Sequence, residues 1–170
     1  MKLYHFTASN RLRPIATAGL TVGDVPTDQR RWKGRIGVWL TRDPEAAGHG
    51  LEGSRDDKTR YRLAVELSGD DSRLHRWLDW SRRYVTKETR DMLHSTAPGF
   101  ESWFVYFGHI KPEAIVECTD MATGENLDDW PDRFPASFDA PAVPYSRRAA
   151  WHKRLIKRVK KEVRRRQGAR

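Results

Sequence analysis

SWFVYFGHI, residues 102–110, is the most apolar run of the chain and predicts a central, buried strand. Around it, KLYHF (2–6) predicts a short strand and IGVWLT (36–41) a buried one. RYRLAVEL (60–67) alternates so that Tyr61, Leu63, Val65 and Leu67 share one side, and a last strand is predicted at 114–118. Ser9 or Asn10 is placed to cap a helix with Leu12, Ile15 and Ala16 on one face and Gly19 at its stop. Asp43-Pro44 reads as a second helix start, a cap followed by proline at the first helical position, running to about 48–51. Residues 21–35 and 52–59 read as polar loops, Ser68-Gly69-Asp70-Asp71 as a turn, and 73–94 as partly helical. Strands interleaved with short helices predict an α+β domain.

The 170 residues weigh 19.8 kDa, enough to bury a core without disulfide or metal staples. Hydrophobic residues make up 38% and charged residues 32%, with seven Trp, a balance that excludes disorder through the body. No apolar run approaches the roughly 18 residues of a membrane span, and the start lacks a secretory h-region. The single Cys118 excludes an intramolecular disulfide and a cysteine zinc cage and fits a reducing compartment. His75, His94, His109 and His152 show no metal-ligand spacing. The expectation is a cytoplasmic protein with no metal and no membrane partner.

The net charge of +9 is concentrated at one end. Residues 147–170 carry twelve Lys/Arg and one acid, a net +11; the other 146 residues carry 20 bases and 22 acids, a net −2. In that tail Trp151, Leu155, Val159 and Val163 recur every four residues, predicting an amphipathic helix with an apolar stripe. Its basic face, with Lys153, Arg154, Lys157, Arg158, Lys161, Arg164 and Arg165, suits a polyanion such as DNA or RNA, while the stripe packs on the body or a protein partner. A second basic run, Arg30-Arg31-Trp32-Lys33-Gly34-Arg35, interleaves a Trp with cations and fits phosphates and a stacked base. Residues 125–145, with four Pro and no period, read as extended chain. The division is thus 1–120 for the folded domain, 121–146 for a wrapping segment or linker, and 147–170 for the basic helix.

Three segments resemble the motifs of the ADP-ribosyltransferase superfamily. Tyr4-His5-Phe6-Thr7 followed by Leu12, Ile15 and Gly19-Leu20 is similar to the opening of the DNA-targeting ADP-ribosyltransferase toxins and to the "His-Gly-Ser/Thr … Gly-Leu" segment of poly(ADP-ribose) polymerases. Gly37-Val38-Trp39-Leu40-Thr41 with Ala46-Ala47-Gly48-His49 resembles the polymerases' strand and short helix with its stacking tyrosines. Glu101-Ser102-Trp103-Phe104-Val105-Tyr106 resembles the strand that carries the catalytic glutamate. The resemblance spans residues 2–118. It implies two small, mostly antiparallel sheets around an NAD cleft, and an enzyme that uses NAD as substrate to move ADP-ribose onto an acceptor.

By that resemblance His5 holds the adenosine ribose, the Phe6 backbone and Thr7 hydroxyl hold the nicotinamide amide, Trp39 and His49 occupy the stacking positions, and Glu101 is the catalytic carboxylate. Cleavage of the nicotinamide–ribose bond passes through an oxocarbenium-like state, which a carboxylate favours. His49 and Phe6 depart from the polymerases' Tyr and Gly. Glu101 lies one residue further from Val105-Tyr106 than in the polymerases, and one residue on a strand is a change of face, so Ser102 is the alternative register. Two other readings stand beside the transferase: an RNA 2′-phosphotransferase-like enzyme, which lacks its usual arginine because Tyr4 precedes His5, and a non-catalytic nucleic-acid-binding protein on the same fold.

Overall fold

The computed structural model describes residues 1–52, 54–135 and 140–168, with side chains in the last helix through residue 157 and at 161. Its elements are β1 (Lys2–Thr7), α1 (Ser9–Ala18), β2 (Asp24–Asp28), β3 (Lys33–Ile36), β4 (Val38–Thr41), β5 (Tyr61–Glu66), β6 (Leu74–Arg76), α2 (Trp77–Tyr84), α3 (Lys87–Thr96), β7 (Trp103–Tyr106), β8 (Ile115–Asp120) and α4 (Arg148–Gly168). The chain is α+β. Six strands form one antiparallel sheet in the order β6-β7-β4-β1-β5-β8, and β2 and β3 form a separate hairpin. The division into two small sheets is therefore corrected to one six-stranded sheet plus a hairpin, although the long sheet has a weak seam. β1 pairs with β5 at six positions, from Lys2↔Glu66 to Thr7↔Tyr61, but with β4 at Tyr4↔Thr41 alone.

Strand alternation assigns the two cores. Leu3, Leu63, Val65, Val38, Leu40, Phe104 and Tyr106 face α1, whose Leu12 and Ile15 cover them. Trp103 and Val105 point the other way, toward Trp77, Trp80, Val85 and Val25, with Trp39 packed at the edge. Gly19 ends α1 as its sequence position predicts. Its φ is +69°, its N–H bonds the Ile15 carbonyl at 2.7 Å, and a β-carbon there would collide with the Ile110 carbonyl oxygen. The cap differs: Ala8 holds the N-cap position and no side chain caps the helix.

Three other expectations change. Asp43-Pro44 starts no helix: Asp43 Oδ1 accepts the Glu45 N–H at 2.9 Å in a local turn, and Gly48 and Gly50 follow at φ +79° and +66°, which breaks any helical continuation. The polar loop at 21–35 contains the β2–β3 hairpin, which the buried Val25 ties to the second core. The central strand stops at Tyr106, because the Phe107 N–H turns to the Arg73 carbonyl (2.9 Å). Burial pushes the Cys118 thiol up to about 12, so it stays protonated and packs as a small hydrophobe.

Beyond β8 the chain returns across the body: Ala140 and Val143 are buried, and the Thr21 hydroxyl donates to the Val143 carbonyl at 2.6 Å. α4 then begins on Arg148, a buried guanidinium that donates to the carbonyls of Gly108 (2.6 Å) and Ile36 (2.8 Å) and lies 5.2 Å from the Tyr145 ring. Burial lowers its pKa. Arg148→Ala strips two carbonyls of their donor and is expected to lower stability by about 1–3 kcal/mol. The shift of the urea midpoint measures this, and an unchanged midpoint would contradict the anchoring role.

Candidate active site

β4 lies between β1 and β7, so all three motif-bearing strands are neighbours although their residues are up to about a hundred positions apart. Past Tyr4↔Thr41 the β1–β4 ladder stops, and the next backbone acceptor on β4 is taken by a side chain: His5 Nδ1 lies 2.9 Å from the Trp39 carbonyl oxygen. A carbonyl only accepts, so Nδ1 carries the proton and Nε2 of the neutral ring is a bare acceptor. Burial lowers the His5 pKa, opposed by the bond to Trp39 and aided by Lys58. Thr7, two residues on, shares the His5 face of β1 and is buried.

On the opposite face Phe6, His49, Trp103 and Trp39 form one aromatic chain. The Phe6 and His49 rings stack at 5.9 Å, and Trp39 meets Trp103 edge-on at 5.2 Å and Trp77 at 4.8 Å. Trp39 Nε1 donates to the Asp24 carbonyl at 2.8 Å, which ties β4 to the hairpin. Trp103 Nε1 donates to His49 Nδ1 at 2.8 Å, so the neutral imidazole carries its hydrogen on Nε2. That N–H is buried and has no hydrogen-bond partner among the described residues; Asp43 Oδ2 is 3.7 Å away. Burial lowers the His49 pKa, against the pull of Asp43. His49 is thus sealed, 8% exposed, beneath Phe6 and beside Gly99, and it offers an N–H edge rather than the open stacking face its motif position implies.

Glu101 stands on a 3₁₀ turn, Pro98–Ser102, just ahead of β7 and not within the strand. It is exposed, and among the described residues its carboxylate is in no hydrogen bond or ion pair. Its neighbour Ser102 is held in a relay. The Asp43 N–H bonds Thr41 Oγ1 (3.0 Å), Thr41 Oγ1 lies 2.7 Å from Ser102 Oγ, and Ser102 Oγ donates to the Gly99 carbonyl (2.8 Å). With that last donation made, the Thr41 hydroxyl is the donor to Ser102. The relay fixes the turn against the end of β4 and leaves Glu101, not Ser102, as the free side chain.

The basic elements divide. Arg30 pairs with Glu88 at 2.7 Å and Arg31 lies 3.7 Å from Asp28, both on the surface, where such pairs contribute little. Lys33 is exposed, and the Arg35 guanidinium lies over Trp80, Tyr84 and Phe107. On α4, Lys153, Arg154, Lys157 and Lys161 are exposed, Trp151, Leu155 and Ile156 are half-buried, and His152 reaches Asp24 Oδ1 at 3.1 Å. The side chains of Arg158, Val159, Val163, Arg164 and Arg165 lie outside the described residues. No group of three His, Cys, Asp or Glu among the described residues is arranged to hold a metal ion, and no described helix is long and apolar enough to cross a membrane. No family model, curated protein or solved structure matches this chain.

Trp103 and the Thr41–Ser102 relay were not singled out by the sequence reading. A tryptophan that opens a strand reads as core, and its indole N–H shows its use only once His49 is seen beneath it. The second core repeats the device: Trp77 Nε1 donates to His94 Nε2 at 3.0 Å, and His94 stacks on Phe100 at 3.7 Å. Burial and Arg90 lower the His94 pKa. His5, His49 and His94 all bind protons less readily folded than in the unfolded chain, where histidine titrates near ~6.5. Stability is then complete above about pH 7 and falls as pH drops through about 6.5 toward the depressed folded values. Urea midpoints between pH 8 and pH 5 check this; a midpoint that holds steady over the range would contradict it.

Proposed function

We propose that the protein transfers ADP-ribose from NAD to an acceptor, with nucleic acid as acceptor or tether. One observation carries the reading. The strands bearing the three motif-like segments lie side by side as β1-β4-β7, and the first two part after one ladder pair. The polar groups left at that seam suit a dinucleotide. The bare His5 Nε2 accepts from a ribose hydroxyl on one face of the seam; on the other face the buried His49 Nε2–H, unpaired among the described residues, becomes a donor to ligand only when the Phe6 ring moves aside. Thr7 supplies a hydroxyl beside the seam. NAD supplies a C1′–N bond whose electron pair leaves with neutral nicotinamide, and the acceptor's nucleophile, on losing a proton, takes over C1′. The Glu101 carboxylate favours the positive charge that develops on the ribose.

A second reading, a nucleic-acid-binding protein without catalysis, is favoured by the sealing of His49 under Phe6 and by the exposure of Glu101. The 2′-phosphotransferase reading gains no cation. Arg62 covers Tyr4 at 5.1 Å, but its guanidinium is held by the Pro44 carbonyl, Thr119 and Glu117.

Nicotinamide release from NAD, with and without nucleic acid, separates the readings. Glu101→Gln is expected to reduce release by about 10²-fold or more, and His5→Ala to act mainly on KM. Full activity of Glu101→Gln, or no release by the parent chain, would overturn the transferase reading. The tail is tested separately. Changing Lys153, Arg154, Lys157 and Lys161 together to Gln is expected to flatten the dependence of log affinity on log salt by about 3, leaving nicotinamide release without acceptor unchanged. Such substitutions are cleaner than deleting 147–170, which would also remove the Arg148 anchor. An unaltered slope would place the polyanion site elsewhere.

A further inference from the structure

We propose that the surface formed by β6 and α2, onto which Arg35 of the β2–β3 hairpin reaches, is a binding site for single-stranded nucleic acid, separate from the seam and from α4. A groove of about 560 Å³ opens along β6 and α2, lined by residues 74–76 of β6 and by Asp79, Trp80, Arg82, Arg83 and Tyr84 of α2. That volume lies within the roughly 300–1,000 Å³ range of small-ligand clefts. Arg35 adds a fourth guanidinium from β3, 5.2 Å from the Tyr84 ring and 5.7 Å from those of Trp80 and Phe107.

The charges at this face are uncompensated. Seven arginines elsewhere in the body have a carboxylate oxygen within ion-pair distance. Arg35, Arg76, Arg82 and Arg83 have none among the described residues, and Asp79 is the one acid lining the groove. Arg82 and Arg83 lie in the last turn of α2, where the helix dipole favours cations. Arg76 precedes the helix and Arg35 comes from another element, so the dipole does not account for the cluster. Four guanidiniums against one carboxylate fit a ligand with several phosphates.

The aromatic side narrows the ligand further. Trp80 is buried in the second core, and Tyr84, at the end of α2, is braced against it at 5.3 Å while 51% of its surface stays exposed. A half-exposed ring braced by a fixed indole, with a guanidinium alongside, is a stacking platform, and a base reaches it only when it is not paired within a duplex. Phosphates on Arg76, Arg82 and Arg83 with a base on Tyr84 describe a single strand. This inference deepens the nucleic-acid part of the proposed function and uses none of its NAD chemistry.

The test uses the full chain and a fluorescent 12-nucleotide DNA strand carrying 5-bromouracil. Irradiation is expected to cross-link the strand at Tyr84. In anisotropy titrations, Arg82→Ser with Arg83→Ser is expected to weaken binding about tenfold or more and to reduce the salt slope by about 1.4. Tyr84→Ala is expected to weaken it about tenfold with the slope unchanged, and Tyr84→Phe to bind like the parent. These side chains are exposed, so urea midpoints should match the parent and confirm that the variants fold. Cross-links confined to residues beyond 147, with all variants binding like the parent, would overturn the proposal in favour of the tail. So would loss in the arginine variant alone with inorganic polyphosphate competing as well as the strand, which would mark an anion surface that reads no base. Because binding is read without turnover, absence of nicotinamide release would end the transferase reading and leave this result standing.

Discussion

β1 and β4 meet at Tyr4↔Thr41 and nowhere else along the ladder, and the next carbonyl of β4 is satisfied by an imidazole. Most of the architecture depends on that substitution. A buried carbonyl needs a donor, and His5 supplies one without requiring the two strands to run on together. The β8-β5-β1 and β4-β7-β6 halves of the sheet are therefore free to diverge while remaining one sheet. His5 is confined to one tautomer, with Nδ1 protonated and Nε2 bare. A bond that holds the strands at the seam thus also sets what the seam can recognise.

The second core is built on tryptophans, and three of them satisfy their polar edges inside the protein. Trp39 donates to the Asp24 carbonyl, Trp77 to His94 and Trp103 to His49. An indole buries a large apolar area but brings one N–H that must find an acceptor. A neutral histidine is an acceptor of suitable size, provided it stays neutral. Packing, tautomer and pH response are consequently a single property here. Protonating His49 or His94 would set two N–H groups against each other inside the core.

Charge is divided by the same kind of pairing. Body arginines that find carboxylates hold strands and loops in place, as Arg60 does with Asp120 at 2.6 Å and Arg73 with Asp71 at 2.7 Å. Arg148, like Arg90 between α2 and α3, is held by carbonyls and not by an acid, and through it the start of α4 is fixed. Exposed cations without a carboxylate partner among the described residues are scattered over the body, as at Arg13, Arg42, Arg55 and Lys111, but several lie on α2, β3 and α4, elements linked through the hairpin: Arg35 joins β3 to α2, and His152 joins α4 to β2.

Local pattern was enough for the elements that depend on local physics. Alternation placed β5, short apolar runs placed β1, β4, β8 and the core of β7, the spacing of apolar residues placed α1 and α4, and Gly19 was legible as a stop because few other residues adopt its φ. The aromatic and histidine members of the candidate site, His5, Phe6, Trp39 and His49, were also named from their segments. What they touch was not legible. Asp43-Pro44 carries the residues of a helix start, yet the following glycines and the pinning of His49 by Trp103 hold the segment as a turn. The hairpin at 24–36 shows little apolar alternation because only Val25 among its strand residues is fully buried. Whether Glu101 or Ser102 points free was decided by hydroxyl bonds to Thr41, sixty residues away. The joining of Arg35 to Tyr84, and of Trp39's carbonyl to His5, likewise came only with the tertiary structure. Periodicity records which side of an element avoids water; which donor meets which acceptor depends on how distant elements pack.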